Sequence, residues 1–396
     1  MKGPSLAYPA DLDGWLDRVA IAGPVVEAEA QESDKIRRLT HVSMAAVHEQ
    51  GLMRLLLPGA GGGAQIALPD FFAIIEAIAR YDGSTAWCVC QGNGCTMLGA
   101  YLPPTVVENI WQDPRAVLAW GPGKATSVAV EGGYEVTADI SFVSGSPHAT
   151  WIAAHASEVK EANGKVRVGA NSKPEIRSMI FPASEIELID NWDVLGLRST
   201  GSNSFRLERK FVPEEFTIVR ATMIENTPDV APLYRFPQMG IYALGFAAVA
   251  LGIARGFLDA FVTLAQQKKP RLVAHPLKDN PVVQDEYARC DARISGARAF
   301  LIAEIEKGWR EALAESLTVE QRMRIRLAST HATHEAKAAV DALYDTAGTS
   351  SVFASSPFER RFRDIHTVAQ QIQGRKTHYQ SVGSYLLGHP PDMAVI

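Results

Sequence analysis

Two short segments of this 396-residue chain gather side chains that could do chemistry. The first is Ser141-Phe-Val-Ser-Gly-Ser-Pro-His-Ala-Thr-Trp151. A strand ending in Ser144-Gly145-Ser146 lets a ligand approach the backbone, and its hydroxyls can donate hydrogen bonds. A plain β-turn uses the same residues. The second is Glu359-Arg-Arg-Phe-Arg-Asp-Ile-His366, followed by Gln370, Gln371 and Gln373. An imidazole changes charge near neutral pH and so suits proton transfer. A lone histidine in such an apolar, amide-rich setting is more often a satisfied core residue. Other clusters carry less. Cys88, Cys90 and Cys95 point to different sides of a helix and have no fourth ligand nearby, so small-residue packing is expected. His331-Ala-Thr-His334-Glu335 lacks the H-E-x-x-H spacing, so a solvated face is expected there and no metal site. Gly59-Ala-Gly-Gly-Gly-Ala64 follows a strand-like Leu52–Leu57 and fits a relaxed dinucleotide fingerprint. A helix follows it rather than a helix and then a strand, so a flexible surface turn is expected. No G-x-S-x-G elbow and no phosphate-binding G-x-x-x-x-G-K-[ST] occurs.

The elements that must position these residues change character twice. From Asp11 to about Asp113 the apolar period is helical. Phe71, Ile74, Ile75 and Ile78 form one stripe behind Pro69, Ser84 is the expected N-cap of a helix from Thr85 to about Tyr101, and Thr105–Trp111 forms another. From Ala116 to Val219 the period is two. Strands are predicted at 134–143, 151–155, 165–168, 176–181 and 204–212, with Gly-rich turns between, as in a sandwich or barrel. After Pro228 four long helices are predicted, at about 234–268, 280–308, 318–347 and 360–386, with the short links of an antiparallel bundle. The order is α+β and mostly α: an N-terminal helical domain (1–115), a middle β-domain (116–222) and a C-terminal four-helix bundle (223–396).

Composition bounds the partners. The net charge of -5 gives no reason to bind nucleic acid. Four cysteines make no disulfide framework and fit a reducing compartment, so a cytoplasmic protein is expected. Met1–Trp15 has no apolar signal core. The uncharged run Met239–Ala254 is short of a membrane span and is expected as a buried helix.

Read together, the segments resemble the acyl-CoA dehydrogenase fold family over nearly the whole chain. Gly51-Leu-Met-Arg-Leu-Leu-Leu-Pro58 with Gly61-Gly62, Ala79-Arg-Tyr-Asp-Gly-Ser-Thr-Ala-Trp87, Gly196-Leu-Arg-Ser-Thr-Gly-Ser202 with Phe211-Val-Pro213, and Pro357-Phe-Glu-Arg-Arg-Phe-Arg-Asp364 match its motifs in order. The resemblance implies flavin bound between β-domain and bundle, in a homotetramer. The dehydrogenases of this family remove a substrate proton with a glutamate. Gln371-Ile-Gln-Gly374 stands at its commonest position, and Val230–Leu258, with Tyr242 at the alternative position, contains no Asp or Glu. An amide cannot serve as that base. Ser141–Trp151 and Trp192-Asp-Val-Leu-Gly-Leu-Arg-Ser-Thr-Gly-Ser202 resemble the two-component flavin-dependent monooxygenase branch (group D) instead.

That branch implies reduced FMN or FAD from a separate NAD(P)H-dependent flavin reductase. With O2 as co-substrate it forms a C4a-hydroperoxyflavin that hydroxylates a small phenol- or indole-like substrate. By resemblance Ser144 and His366 are catalytic. Trp120, Gly145, Ser146, Arg271, Ser350, Ser351 and Gln370 bind the cofactor, with Arg271 meeting its phosphate across a subunit interface. Asn93, Cys95, His148 and Tyr242 face the substrate. Cys95 stands where phenol hydroxylases of the branch carry a histidine, which favours an indole, another heteroaromatic or an amine nitrogen. The alternatives are a dehydrogenase or oxidase of the same fold, with Asp345 or Glu359 as base, and a non-catalytic assembly member.

Overall fold

The computed structural model describes residues 7–169, 172–224, 230–271 and 273–393. Residues 1–6 of the N-terminal stretch and the junction at Pro228 lie outside the described residues.

Five helices come first: α1 (Leu12–Ile36), α2 (His41–Glu49), α3 (Leu68–Tyr81), α4 (Gly83–Thr96) and α5 (Pro104–Trp111). The apolar stripe of α3 is buried as its spacing predicts. The N-cap of α4 is Asp82, not Ser84. Its carboxylate accepts from the Thr85 amide at 2.8 Å and the Thr85 hydroxyl at 2.7 Å, a stronger cap than a serine one residue inside the helix. Leu52–Leu57 is not a strand. It opens with a short 3-10 turn, Leu52–Arg54, and its leucines are fully buried. The glycine stretch after it is no loose surface turn either. Arg54 donates to the carbonyls of Gly61, Trp111 and Asp113, and a Cβ on Gly63 would lie 1.9 Å from the Leu57 carbonyl.

Nine strands follow: β1 (Leu118–Trp120), β2 (Gly123–Val130), β3 (Gly133–Val143), β4 (Trp151–Ala156), β5 (Glu158–Lys160), β6 (Arg177–Pro182), β7 (Leu188–Ile189), β8 (Asn203–Pro213) and β9 (Thr217–Val219). They form a four-stranded sheet, β1-β4-β6-β9, and a five-stranded sheet, β5-β2-β3-β8-β7. One apolar core joins both, with Ile152, Met179 and Phe181 from the first against Val136, Ile140 and Phe205 from the second. The predicted strand at 165–168 is reduced to single bridges, Lys160 with Val166 and Val168 with Pro174. β1 is only three residues long, and β2 turns the small residues Ala125 and Ser127 inward, so neither carries an apolar alternation that the sequence would reveal.

The last block holds α6 (Pro232–Arg235), α7 (Gln238–Gln267), α8 (Pro281–Ala314), α9 (Val319–Ala347), α10 (Pro357–Val368) and α11 (Thr377–Leu386). Pro237 separates α6 from α7, where one helix from 234 was expected. The expected helix 360–386 is two helices, interrupted by the 3-10 turn Ile372–Gly374. The interruption lets Gln373 accept from Arg326 Nη1 at 2.6 Å inside the bundle. α7 is long and apolar enough to cross a membrane, yet 94% of its apolar window is buried inside this fold. Its glycines bring α3 and α4 close. A Cβ on Gly252 would lie 2.3 Å from the Glu76 carbonyl, and one on Gly245 would lie 2.4 Å from Cys90 Sγ. Each fully buried Leu, Ile or Phe along α7 contributes about 1.5–3 kcal/mol.

Candidate active site

β3 ends at Val143, and the chain turns through Ser144 to Gly145, whose φ of 79° is left-handed and suits glycine. The Gly145 amide donates to the Thr200 carbonyl at 2.8 Å, which clips this turn to the loop before β8. Three hydroxyls thereby fall into a row. Thr200 Oγ1 donates to the Leu197 carbonyl at 2.8 Å and lies 2.7 Å from Ser202 Oγ, which lies 2.8 Å from Ser144 Oγ. With the Thr200 proton on a carbonyl, Ser202 donates to Thr200 and Ser144 donates to Ser202. From α4, Trp87 donates its indole N–H to Ser144 Oγ at 3.0 Å. Ser144 is left with one lone pair and no free proton. It can accept from a ligand N–H, and it cannot donate.

Trp87 also begins an aromatic chamber. Its ring stacks on Phe246 of α7 at 3.8 Å, and Phe246 stacks on Tyr242 at 5.6 Å. Trp120, at the end of β1, meets Tyr242 edge-on at 6.2 Å and His155 at 4.7 Å. Cys95 Sγ lies 3.6 Å from the Tyr242 hydroxyl. Burial pushes the Cys95 thiol up to about 12 and the Tyr242 phenol well above its usual range. Burial first, and the charge of Arg220 second, push His155 down to about 3. At neutral pH these three groups are uncharged.

The structure brings together Ser144, Trp120, Cys95 and Tyr242, and sets Gly145 beside Ser144 with open space where a Cβ would stand. Ser146 is adjacent, but its hydroxyl is committed to the Gly201 carbonyl at 2.9 Å. Other expected residues lie elsewhere. Asn93 is fully buried; both its amide protons go to the carbonyls of Leu52 and Val89, and its oxygen accepts from the Leu56 amide. It clamps a loop and has no donor left for a substrate. His148 faces Arg38, His41 and His48 near α2, away from the chamber, and burial first pushes it down to about 4. His366 hydrogen-bonds Asp341 of α9 through Nε2 at 2.8 Å. On the opposite side of α10, Asp364 accepts from the Leu197 amide at 2.6 Å, which ties α10 to the loop that carries the hydroxyl row. Ser351 donates to the Gly348 carbonyl at 2.6 Å, closing the end of α9. Ser350 is half-buried beside it, and Arg271 and Gln370 are exposed. Asp345 is exposed and Glu359 pairs with Arg363, so neither stands in the chamber. Among the described residues no cluster of His, Cys, Asp or Glu could hold a metal ion.

Trp87, Thr200, Ser202, Phe246, His155 and Arg220 were not anticipated as site residues. Trp87, Thr200 and Ser202 stood in quoted motifs; Arg220 had no local signal.

The sequence profile of the family described as "Acyl-CoA dehydrogenase, C-terminal domain" matches residues 244–374. The chain is 29% identical over 395 residues to the indole-3-acetate monooxygenase of Pseudomonas putida, covering 98% of this chain and 95% of that one. It is 28% identical over 354 residues to the flavin-dependent monooxygenase oxygenase subunit HsaA of Rhodococcus jostii, covering 87% and 90%. The crystal structure of the 3-HSA hydroxylase from Rhodococcus sp. RHA1 superposes with a TM-score of 0.87 at 26% identity, over 98% of this chain and 100% of that one. The chain is thus similar over nearly its whole length to oxygenase subunits of flavin-dependent monooxygenases, and residues 244–374 match the C-terminal domain of the acyl-CoA dehydrogenases. In this fold the hydroxyl row and the aromatic chamber meet at Trp87, which donates to Ser144 and stacks on Phe246.

Proposed function

We propose that this protein is the oxygenase component of a two-component flavin-dependent monooxygenase that hydroxylates a small aromatic or heteroaromatic compound. The observation that carries this is the Ser144 hydroxyl, held with its proton committed and one acceptor position unfilled. Reduced flavin has a ring N–H at N5 where the oxidised ring has only a lone pair, so such a hydroxyl suits the reduced form. The surroundings fit the same group. Gly145 leaves room beside Ser144, and the buried Ser199 Oγ and Asn203 Oδ1 have no partner. Ser144, Gly145, Ser199 and Asn203 would hold the ring, and exposed Arg271 would meet its phosphate. When bound, reduced flavin with O2 supplies the oxygen atom that is transferred.

The chain's own residues do the rest. Ser144 orients, with its hydroxyl fixed by Trp87 and Ser202. Trp87, Phe246, Tyr242 and Trp120 exclude water, which would otherwise divert the oxygen to hydrogen peroxide. Neither Cys95 nor Tyr242 ionises near neutral pH, and His155 is a weak base there, so the chamber is poorly equipped to deprotonate a phenol. That favours a ring already rich in electrons, such as an indole. A relative is named for indole-3-acetate and another for p-hydroxyphenylacetate, so both belong in a substrate panel.

A separate NAD(P)H-dependent reductase would supply the flavin. Four unpaired cysteines fit a cytoplasmic location. The resemblance to this family suggests a homotetramer, which light scattering would test; exposed Phe353 and Leu387 are apolar surface that such an interface could cover. The deciding experiment supplies reduced FMN or FAD under 18O2 with the panel. One labelled oxygen per product molecule is expected. Full conversion of reduced flavin to hydrogen peroxide with every compound would defeat the proposal, and acyl-CoA bleaching of oxidised flavin would replace it with a dehydrogenase.

A further inference from the structure

Arg220 follows β9, and its backbone amide donates to the Ile176 carbonyl at 2.9 Å. Its side chain turns inward. Nη2 donates to Gln238 Oε1 at 3.0 Å, while Nη1 is buried without an acceptor. Two other buried guanidiniums of this protein are well supplied. Arg54 reaches the carbonyls of Gly61, Trp111 and Asp113; Arg361 reaches those of Pro357 and Arg80, and Glu27. Arg326 keeps an unpartnered Nε but holds Gln373 within the bundle. Arg220 differs from all three in its company. Like Arg54 and Arg326 it forms no ion pair with a carboxylate among the described residues, but unlike theirs its charge reaches Tyr242 and His155 of the chamber, and Tyr101. A buried cation without a partner is costly.

A second observation points the same way. Gln238, which Arg220 touches, is the first residue of α7. This 30-residue helix has no side-chain cap and no acidic residue in its first turn. The positive end of its dipole adds to the guanidinium charge instead of offsetting it. Gln238 in turn donates to the Gly94 carbonyl at 2.8 Å, next to Cys95, which meets Tyr242. The chamber therefore has Ser144 at the Trp87 end and uncompensated positive charge beyond Tyr242. An anion is the complement that end lacks.

We propose that Arg220 binds the carboxylate of the substrate, so that the preferred substrates are small aromatic acids with the ring held among Trp120, Tyr242 and Phe246. This narrows the monooxygenase proposal above and rests on it for the word substrate.

The test is binding, measured by calorimetry with and without FMN. Indole-3-acetate is compared with indole-3-acetamide, which has the same shape and no charge. The wild-type protein is expected to bind the acid on the order of 10- to 100-fold more tightly, as for one well-placed charged hydrogen bond. Arg220→Gln should abolish that preference and Arg220→Lys should keep part of it, with melting curves confirming the fold. Equal affinities in the wild type, no binding of either compound, or an undiminished preference in Arg220→Gln would overturn the proposal. If Arg220→Gln does not fold, the wild-type ratio and its partial retention in Arg220→Lys decide. Acid binding that depends on Arg220 without 18O transfer would sink the monooxygenase proposal and leave this one standing. Oxygenation of neutral rings with no preference for acids would do the reverse.

Discussion

Ser144 shows how a side chain can be specified by what its neighbours have already used. Its proton goes to Ser202, one lone pair takes the Trp87 N–H, and one position is left. Ser144→Ala is expected to lower product formed per reduced flavin by about 5- to 30-fold, the worth of roughly 1–2 kcal/mol of hydrogen bonding. Peroxide and product quantified together would check it. His366 should behave differently. Its partner is Asp341, and both are partly exposed. His366→Ala is expected to cost about 0.5–1 kcal/mol of stability while product per flavin stays within about twofold; a larger loss of coupling would place His366 at the reacting atoms. Small residues around Ser144 made it visible in the sequence. The row it belongs to was not, since Ser202 is 58 residues away and Trp87 is 57. Asn93 misled for the same reason: the loop that uses up its amide lies about 40 residues upstream.

At the scale of elements, periodicity served the helices well because α3 and the bundle helices have one clear buried side. It failed where a strand was short or where a side chain ended a helix, as at Gln373. The close contact of α7 with α3 and α4 rests on glycines, which on propensity alone weaken a helix. Gly252→Leu would push against the Glu76 carbonyl and Ala79. A loss of about 2–4 kcal/mol is expected in urea unfolding, whereas Gly296→Ala on α8, where a Cβ meets open space, should be neutral or stabilising. Equal effects at both positions would mean that the α7 packing is looser than the contact distances imply.

The whole molecule meets at Asp364. This carboxyl of α10 accepts from Leu197 in the β-block and stands beside Asp82, the cap of α4. Burial, then the charge of Asp82, pushes it up to about 7. An unfolded aspartate titrates near 3.9, so the folded state holds the extra proton between these values. Its contribution is complete below about pH 4 and is lost as pH rises through about 7. His48, His148 and His155 act oppositely. Burial keeps them neutral down to about 4, 4 and 3, so their contribution is complete above the unfolded value near 6.5 and fades as pH falls. Three histidines outweigh one aspartate on the acid side. Stability is therefore expected to fall below about pH 6, and Asp364→Asn should gain more at pH 8 than at pH 5, by on the order of 2–3 kcal/mol. Unfolding curves at the two pH values would show it, and the same gain at both would exclude Asp364 as the titrating group.

Trp87 has an optical consequence. An indole with its N–H fixed and its face against Phe246 emits from a rigid, dry setting, and a flavin beside Ser144 would lie close enough to accept its excitation. Flavin bound there would therefore dim the emission, and replacing Trp87 with phenylalanine should remove part of that signal, leaving Trp120 of the same chamber to carry the rest.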